Sequence, residues 1–167
     1  NGTTGGNCAY GGGAGGGSGG GIRIACGKIT GTGYIYAYGG NGTNQAPTAG
    51  GGGRVAIYYA DIAGFDQTHI TVRGGLTREG SAGTIYLKDS AQTYGEVIID
   101  NDGYYSPQAT LFKTSLTDFK KLITRDWGRL SVVSTDRAAF TVAEPVLIAN
   151  SGTLTLNSGV TMSVTNA

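Results

Sequence analysis

The sequence predicts an all-β chain, and three observations carry that reading. Glycine supplies 32 of the 167 residues, about 19 % against an average usage near 7 %. That composition, with 39 % hydrophobic and 14 % charged residues, is too apolar for a disordered tail and too glycine-rich for a helical bundle. Short runs rich in β-branched and aromatic residues recur along the chain, with clear alternation at Ile22 to Cys26 and Tyr34 to Tyr38, and turn-forming residues separate them.

In chain order the runs are Ile22 to Cys26, Tyr34 to Tyr38, Val55 to Tyr59, His69 to Val72, Thr84 to Leu87, Glu96 to Ile99 and Thr110 to Phe112. They continue with Lys121 to Thr124, Arg129 to Val133, Phe140 to Val142, Val146 to Ile148, Thr153 to Leu156 and Val160 to Val164. Gly64, Gly74-Gly75, Gly83, Gly95 and Asn101-Asp102-Gly103 punctuate them, as turn chemistry requires. Ser115 to Phe119 has a capping-box pattern with apolar residues at 116, 119, 122 and 123, and predicts one helical turn.

Spacing bears on the architecture. The last five runs lie so close that only a few turn residues separate them, which suits either hairpins or the corners of a parallel coil. Hairpin sandwiches favour Asn-Gly and Asp-Gly turns, and the internal candidates are Asn41-Gly42 and Asp102-Gly103. A turn glycine feeding an alternating strand recurs instead, in Ser151-Gly152-Thr153-Leu154-Thr155-Leu156 and Ser158-Gly159-Val160-Thr161-Met162-Ser163-Val164, an irregular repeat. An antiparallel β-sandwich is the alternative.

Chemistry divides the chain near Arg54. Residues 1–53 hold 22 of the glycines, two bases (Arg23 and Lys28) and no acid, while every carboxylate lies between Asp61 and Glu144. The strand-like inserts in the first part argue against a flexible linker, so 1–53 is read as glycine-rich β coils and 54–167 as the body of one structural domain. Runs at 11–13, 15–17 and 19–21, with 50–53 beside them, are expected where backbones approach too closely for a Cβ. A phosphate loop is excluded, because Gly27-Lys28 leads into a strand-like stretch rather than a helix. Cys8 and Cys26 are expected to form a disulfide, worth about 3 kcal/mol for a loop of that length. Two cysteines and a distant His69 do not make a zinc site.

Four phrases resemble those of very large glycine-rich bacterial surface and secreted proteins, similar in style to the parallel β-helix passengers of adhesins. They are Gly11 to Ile24, Ile29 to Gly42, Ala49 to Tyr59 and Ala82 to Leu87. The resemblance implies a right-handed parallel β-helix, an extracellular or cell-surface location and an adhesive or structural role. Coil length here varies more than in a regular solenoid. The missing initiator Met suits a mature secreted chain or a segment of a larger one, and open coil ends would either continue in a parent protein or stack with copies of the chain, end to end into fibres.

Candidate sites are few. A net charge of +1 points to no nucleic acid, and no apolar run is long enough for a membrane span. Tyr34, Tyr36 and Tyr38 alternate onto one strand face, and with Tyr58 and Tyr86 on adjacent coils they offer a row for polysaccharide, or else line the core where leucine is scarce. Asp100 and Asp102 form the best carboxylate pair, readable as the catalytic pair of a β-helical polysaccharide lyase or hydrolase or as weak calcium ligands, and more simply as a turn. No catalysis and no cofactor are expected. Alternation puts His69 at the surface, and Asn1 and Asn41 stand in Asn-Gly-Thr glycosylation sequons.

Overall fold

The computed structural model describes residues 1–6, 13–43, 48–77 and 80–166. Among them are sixteen strands, one 3-10 turn at Gln67–His69, no α-helix and no closed barrel. The strands are β1 (Gly21–Ala25), β2 (Lys28–Gly31), β3 (Ile35–Tyr36), β4 (Arg54–Tyr59), β5 (Asp61–Phe65), β6 (Ile70–Thr71), β7 (Thr84–Asp89) and β8 (Glu96–Asp100). After these come β9 (Thr110–Leu111), β10 (Asp118–Phe119), β11 (Lys121–Arg125), β12 (Arg129–Val132), β13 (Ala139–Val142), β14 (Leu147–Ile148), β15 (Thr153–Leu156) and β16 (Thr161–Val164).

Strands recur in threes, and corresponding members pair side by side. β1 pairs with β4 and β4 with β7, so that Gly21, Arg54 and Thr84 stand in line. β2 pairs with β5, and β3 with β6. After β7 the pattern restarts with shorter steps: β8, β11 and β14 form one ladder, β9, β12 and β15 a second, and β10, β13 and β16 a third. Every pairing is parallel except β7 with β8, where Ile85 faces Ile98 and Leu87 faces Glu96. An antiparallel sandwich is therefore overturned, because parallel neighbours need a long return path and the chain supplies one of 20 to 35 residues each time.

The antiparallel pair is also where the interior changes sides. Val55, Ile57, Ile85 and Leu87 point into one core, and Ile98 and Ile123 join it. The intervening residues Val97, Ile99 and Leu122 point the other way, into a second core built on Phe112, Phe119, Leu130, Phe140 and Val142. Alternation explains this, since successive side chains leave a strand on opposite faces. β8 and β11 are consequently apolar on both faces, and the six-stranded sheet separates two cores.

The glycine segments lie outside the sheets. Gly2 and Gly5 donate to the carbonyls of Tyr38 and Asn41, Gly16 and Gly19 to Thr48 and Gly51, and Gly50 and Gly53 to Gly40 and Ala37, at 2.7–2.9 Å. Adjacent glycines turn to different segments, Gly16 to Thr48 and Gly17 to Thr3, Gly52 to Ser81 and Gly53 to Ala37, so these segments are tied sideways to one another. The expected neighbourhood of 50–53 is observed for the runs at 15–17 and 19–21, whereas residues 11 and 12 of the first run lie outside the described residues. A Cβ at Gly50 would collide with the Gly17 carbonyl, and one at Gly16 with that of Gly40, so close backbone approach dictates the residue.

One reading of the second half needs correction, and one strand of the first half goes unsignalled. Ser115 to Phe119 forms no helical turn; Asp118 and Phe119 are β10, because parallel pairing with β13 and burial of Phe119 outweigh the local capping pattern. β5 carries no strand signal, since Gly64 breaks the alternation. A repeat also emerges at the corners. Asp102-Gly103, Asp126-Trp127 and Asn150-Ser151, each 24 residues after the last, all have two successive residues at positive φ.

Candidate functional site

The strongest surface constellation starts on β3. Ile35 and Ala37 turn inward to the first core, which forces Tyr34, Tyr36 and Tyr38 outward. For Tyr34 and Tyr36, 59 % and 38 % exposed, the core-lining reading is thereby overturned, while Tyr38 is half-buried and joins neither core. Ring centroids are 5.3 Å apart for Tyr34 and Tyr36 and 4.7 Å for Tyr36 and Tyr38, both stacked.

The next turn of chain extends the pile. The β3–β6 register steps by 35 residues, which sets His69 beside Tyr34 and Arg73 beside Tyr38. His69 stacks on Tyr34 at 4.0 Å, held by the Asp66-capped 3-10 turn and by Nδ1 lying 3.2 Å from the Gly33 carbonyl. Arg73 lies over Tyr38 at 4.1 Å and over Tyr104 at 5.2 Å. Ring faces are thus turned to one another, and the pile presents edges and hydroxyl groups to solvent. Burial and the Tyr36 phenol beside it hold the Tyr38 hydroxyl above its usual pKa.

Tyr58 and Tyr86 do not join this row. They leave the other faces of β4 and β7, edge to face at 5.9 Å, Tyr58 with the Arg23 guanidinium 4.7 Å from its ring and Tyr86 packed against the second core, as the core-lining reading expects of it. The residues that local alternation missed are Arg73, Tyr104, Tyr105 and Trp127, the last two meeting edge to face at 5.1 Å. For Arg73 the sequence signal is the 35-residue step from Tyr38, invisible before the register is known.

Asp100 and Asp102 occupy a corner. Asp100 accepts from the Asp102 amide and from Arg125 Nε, both at 2.7 Å, and Asp102 lies 3.7 Å from Arg73. Burial, then the Asp100 carboxylate, hold Asp102 above the ordinary carboxylate range, while Arg73 opposes them. The Asp100 carboxylate is thus engaged by an arginine and its own turn. No group of three metal-ligating side chains occurs among the described residues. Asn101 between the two is buried and accepts from the Gly74 amide at 2.9 Å, tying the corner to the glycine segments.

The remaining predicted residues are dispersed. Cys8 lies outside the described residues, and Cys26, half-buried beside Tyr58 and Tyr59, forms no disulfide among them. Asn1 accepts from the Tyr38 amide at 2.9 Å and Asn41 from the Leu76 amide at 2.7 Å, so both sequon side chains brace the glycine segments. Among the described residues no helix is long and apolar enough to cross a membrane.

A cleft of about 570 Å³ opens between the outer faces of β4 and β7 and the start of the second set of strands. Comparison with protein-family models, curated proteins and solved structures finds no match.

Proposed function

We propose that the chain is a right-handed parallel β-helix module that serves outside the cell as a structural and adhesive element. The observation that carries this reading is the recurrence of strand triplets in parallel register, β1–β3 with β4–β6 and β8–β10 with the two triplets after them. Parallel crossovers are right-handed in about 98 % of cases. Reversing strand direction at β7/β8 while moving the core to the other face of the sheet keeps the hand of winding the same in both stacks. Such a stack is stiff because continuous backbone ladders join its turns, which suits a part that holds surfaces apart or together. The glycine phrases shared in style with bacterial surface proteins support the location.

Contact with a polysaccharide through the tyrosine row is the second reading, favoured by the outward stand of Tyr34, Tyr36 and Tyr38. Hydroxyl tips and ring edges, with Arg73 at one end, suit the hydroxyl groups of a glycan chain. Beads coated with the chain test both readings together. Adhesion to cell or glycan surfaces above that of albumin-coated beads is expected, and adhesion no greater than albumin's on every surface would overturn the adhesive role. Loss of glycan retention in Tyr36→Ala, with an unchanged melting temperature, is what the second reading requires.

A further inference from the structure

We propose that the cleft between β4, β7 and the β9 segment binds an amphipathic monoanion, with its charged head at Arg54 and its apolar body over the phenylalanines of the second core. Its volume, about 570 Å³, lies in the range of small-molecule sites. Its lining is largely apolar. At depth lie Val97, Phe112 and Phe119, 2 %, 4 % and 1 % exposed, with Ala56 and Ala82 on the facing wall. Leu111 and Leu116 are 50 % and 42 % exposed at its margin, an apolar lip left in solvent.

Charge chooses the ligand. Among the described residues, Arg54 and Lys113 are the charged ones that line the cleft, and no carboxylate of theirs lines it. Arg54 is exposed and has no ion pair among the described residues, whereas Lys113 is partnered at 3.8 Å by Asp136, which stands outside the cleft. An unpaired guanidinium beside a recess of aromatic and aliphatic side chains complements a carboxylate carried on a hydrocarbon body, since the fork of donors matches the two oxygens. The cleft keeps its shape because Thr110 Oγ1 donates to the Ala82 carbonyl, clamping one wall to the other.

Decanoate is the probe, with decanol as its uncharged counterpart, each titrated into the intact chain by calorimetry. Saturable decanoate binding is expected, with decanol weaker by about tenfold or more. Arg54→Gln should weaken decanoate by about tenfold and leave decanol unchanged. Ala56→Trp should abolish binding of both by filling the recess, and Leu116→Trp, at an exposed position that leaves folding intact, should reduce it by narrowing the mouth. The proposal is overturned by no saturable binding up to about 1 mM, by equal affinity for acid and alcohol, by an Arg54→Gln affinity equal to the wild type's, or by undiminished binding in the two tryptophan variants.

Discussion

Glycine is placed in this chain by lack of room at some positions and by backbone angle at others, and substitution separates the two. At Gly50 a methyl group would strike the Gly17 carbonyl, whereas at Gly27 nothing lies within 4 Å. Gly50→Ala should therefore lower stability by about 1–3 kcal/mol, the usual cost of overpacking, while Gly27→Ala stays within about 0.5 kcal/mol. Denaturant melts of both variants check this, and equal midpoints would contradict it. Gly103, at φ 78, sits in a corner rather than a crowded layer. Asp102 beside it makes a prediction of its own. Because folding raises its pKa above 3.8, the folded chain binds that proton more tightly than the unfolded chain, and stability falls as pH rises through that window. Asp102→Asn removes the penalty, so its melting temperature should exceed the parent's at pH 7, with the gap closing as pH falls below the ordinary carboxylate range. A variant less stable than the parent at pH 7 would show that the Arg73 contact outweighs burial.

Strands differ in how many faces they bury, and that decides which substitutions hurt. β3 and the residue after it turn only Ile35 and Ala37 inward, so Tyr36→Ala should leave thermal stability nearly unchanged. β8 buries both faces, and Ile99, fully enclosed in the second core, should cost about 2–5 kcal/mol when cut to Ala. Legibility in the sequence follows the same division. β1, β4, β7, β12 and β15 were readable because alternation or a β-branched run marks a strand buried on at least one face. β5, interrupted by Gly64, and β10, disguised by a helical capping pattern, are held by their parallel neighbours rather than by local preference. The tyrosines of β3 were visible as a row, but their outward direction depended on Ile35 and Ala37 sufficing for the core. Arg73 and Tyr104 reach the site through register and a corner, neither of which any local pattern encodes.

At the scale of the molecule, two stacks share one sheet and face opposite ways from it. The β7–β8 reversal makes this arrangement economical, since a single antiparallel pairing carries the six-stranded sheet from one stack to the other. It also creates the cleft, because the second stack begins against the outer face of the first. Everything proposed for the chain, from the stiff module to the tyrosine row and the anion site, rests on turns of chain stacked in parallel register.

Nitroxide labels at Leu111 and Thr155 test that stacking most directly. Leu111 pairs with Ser131 and Ser131 with Thr155, so residues 44 apart in sequence should stand two strand spacings apart, about 10 Å. Strong dipolar broadening of the doubly labelled chain, absent from either single label, is the predicted spectrum. A spectrum equal to the sum of the two single labels would place the sites well beyond that distance and contradict the stack.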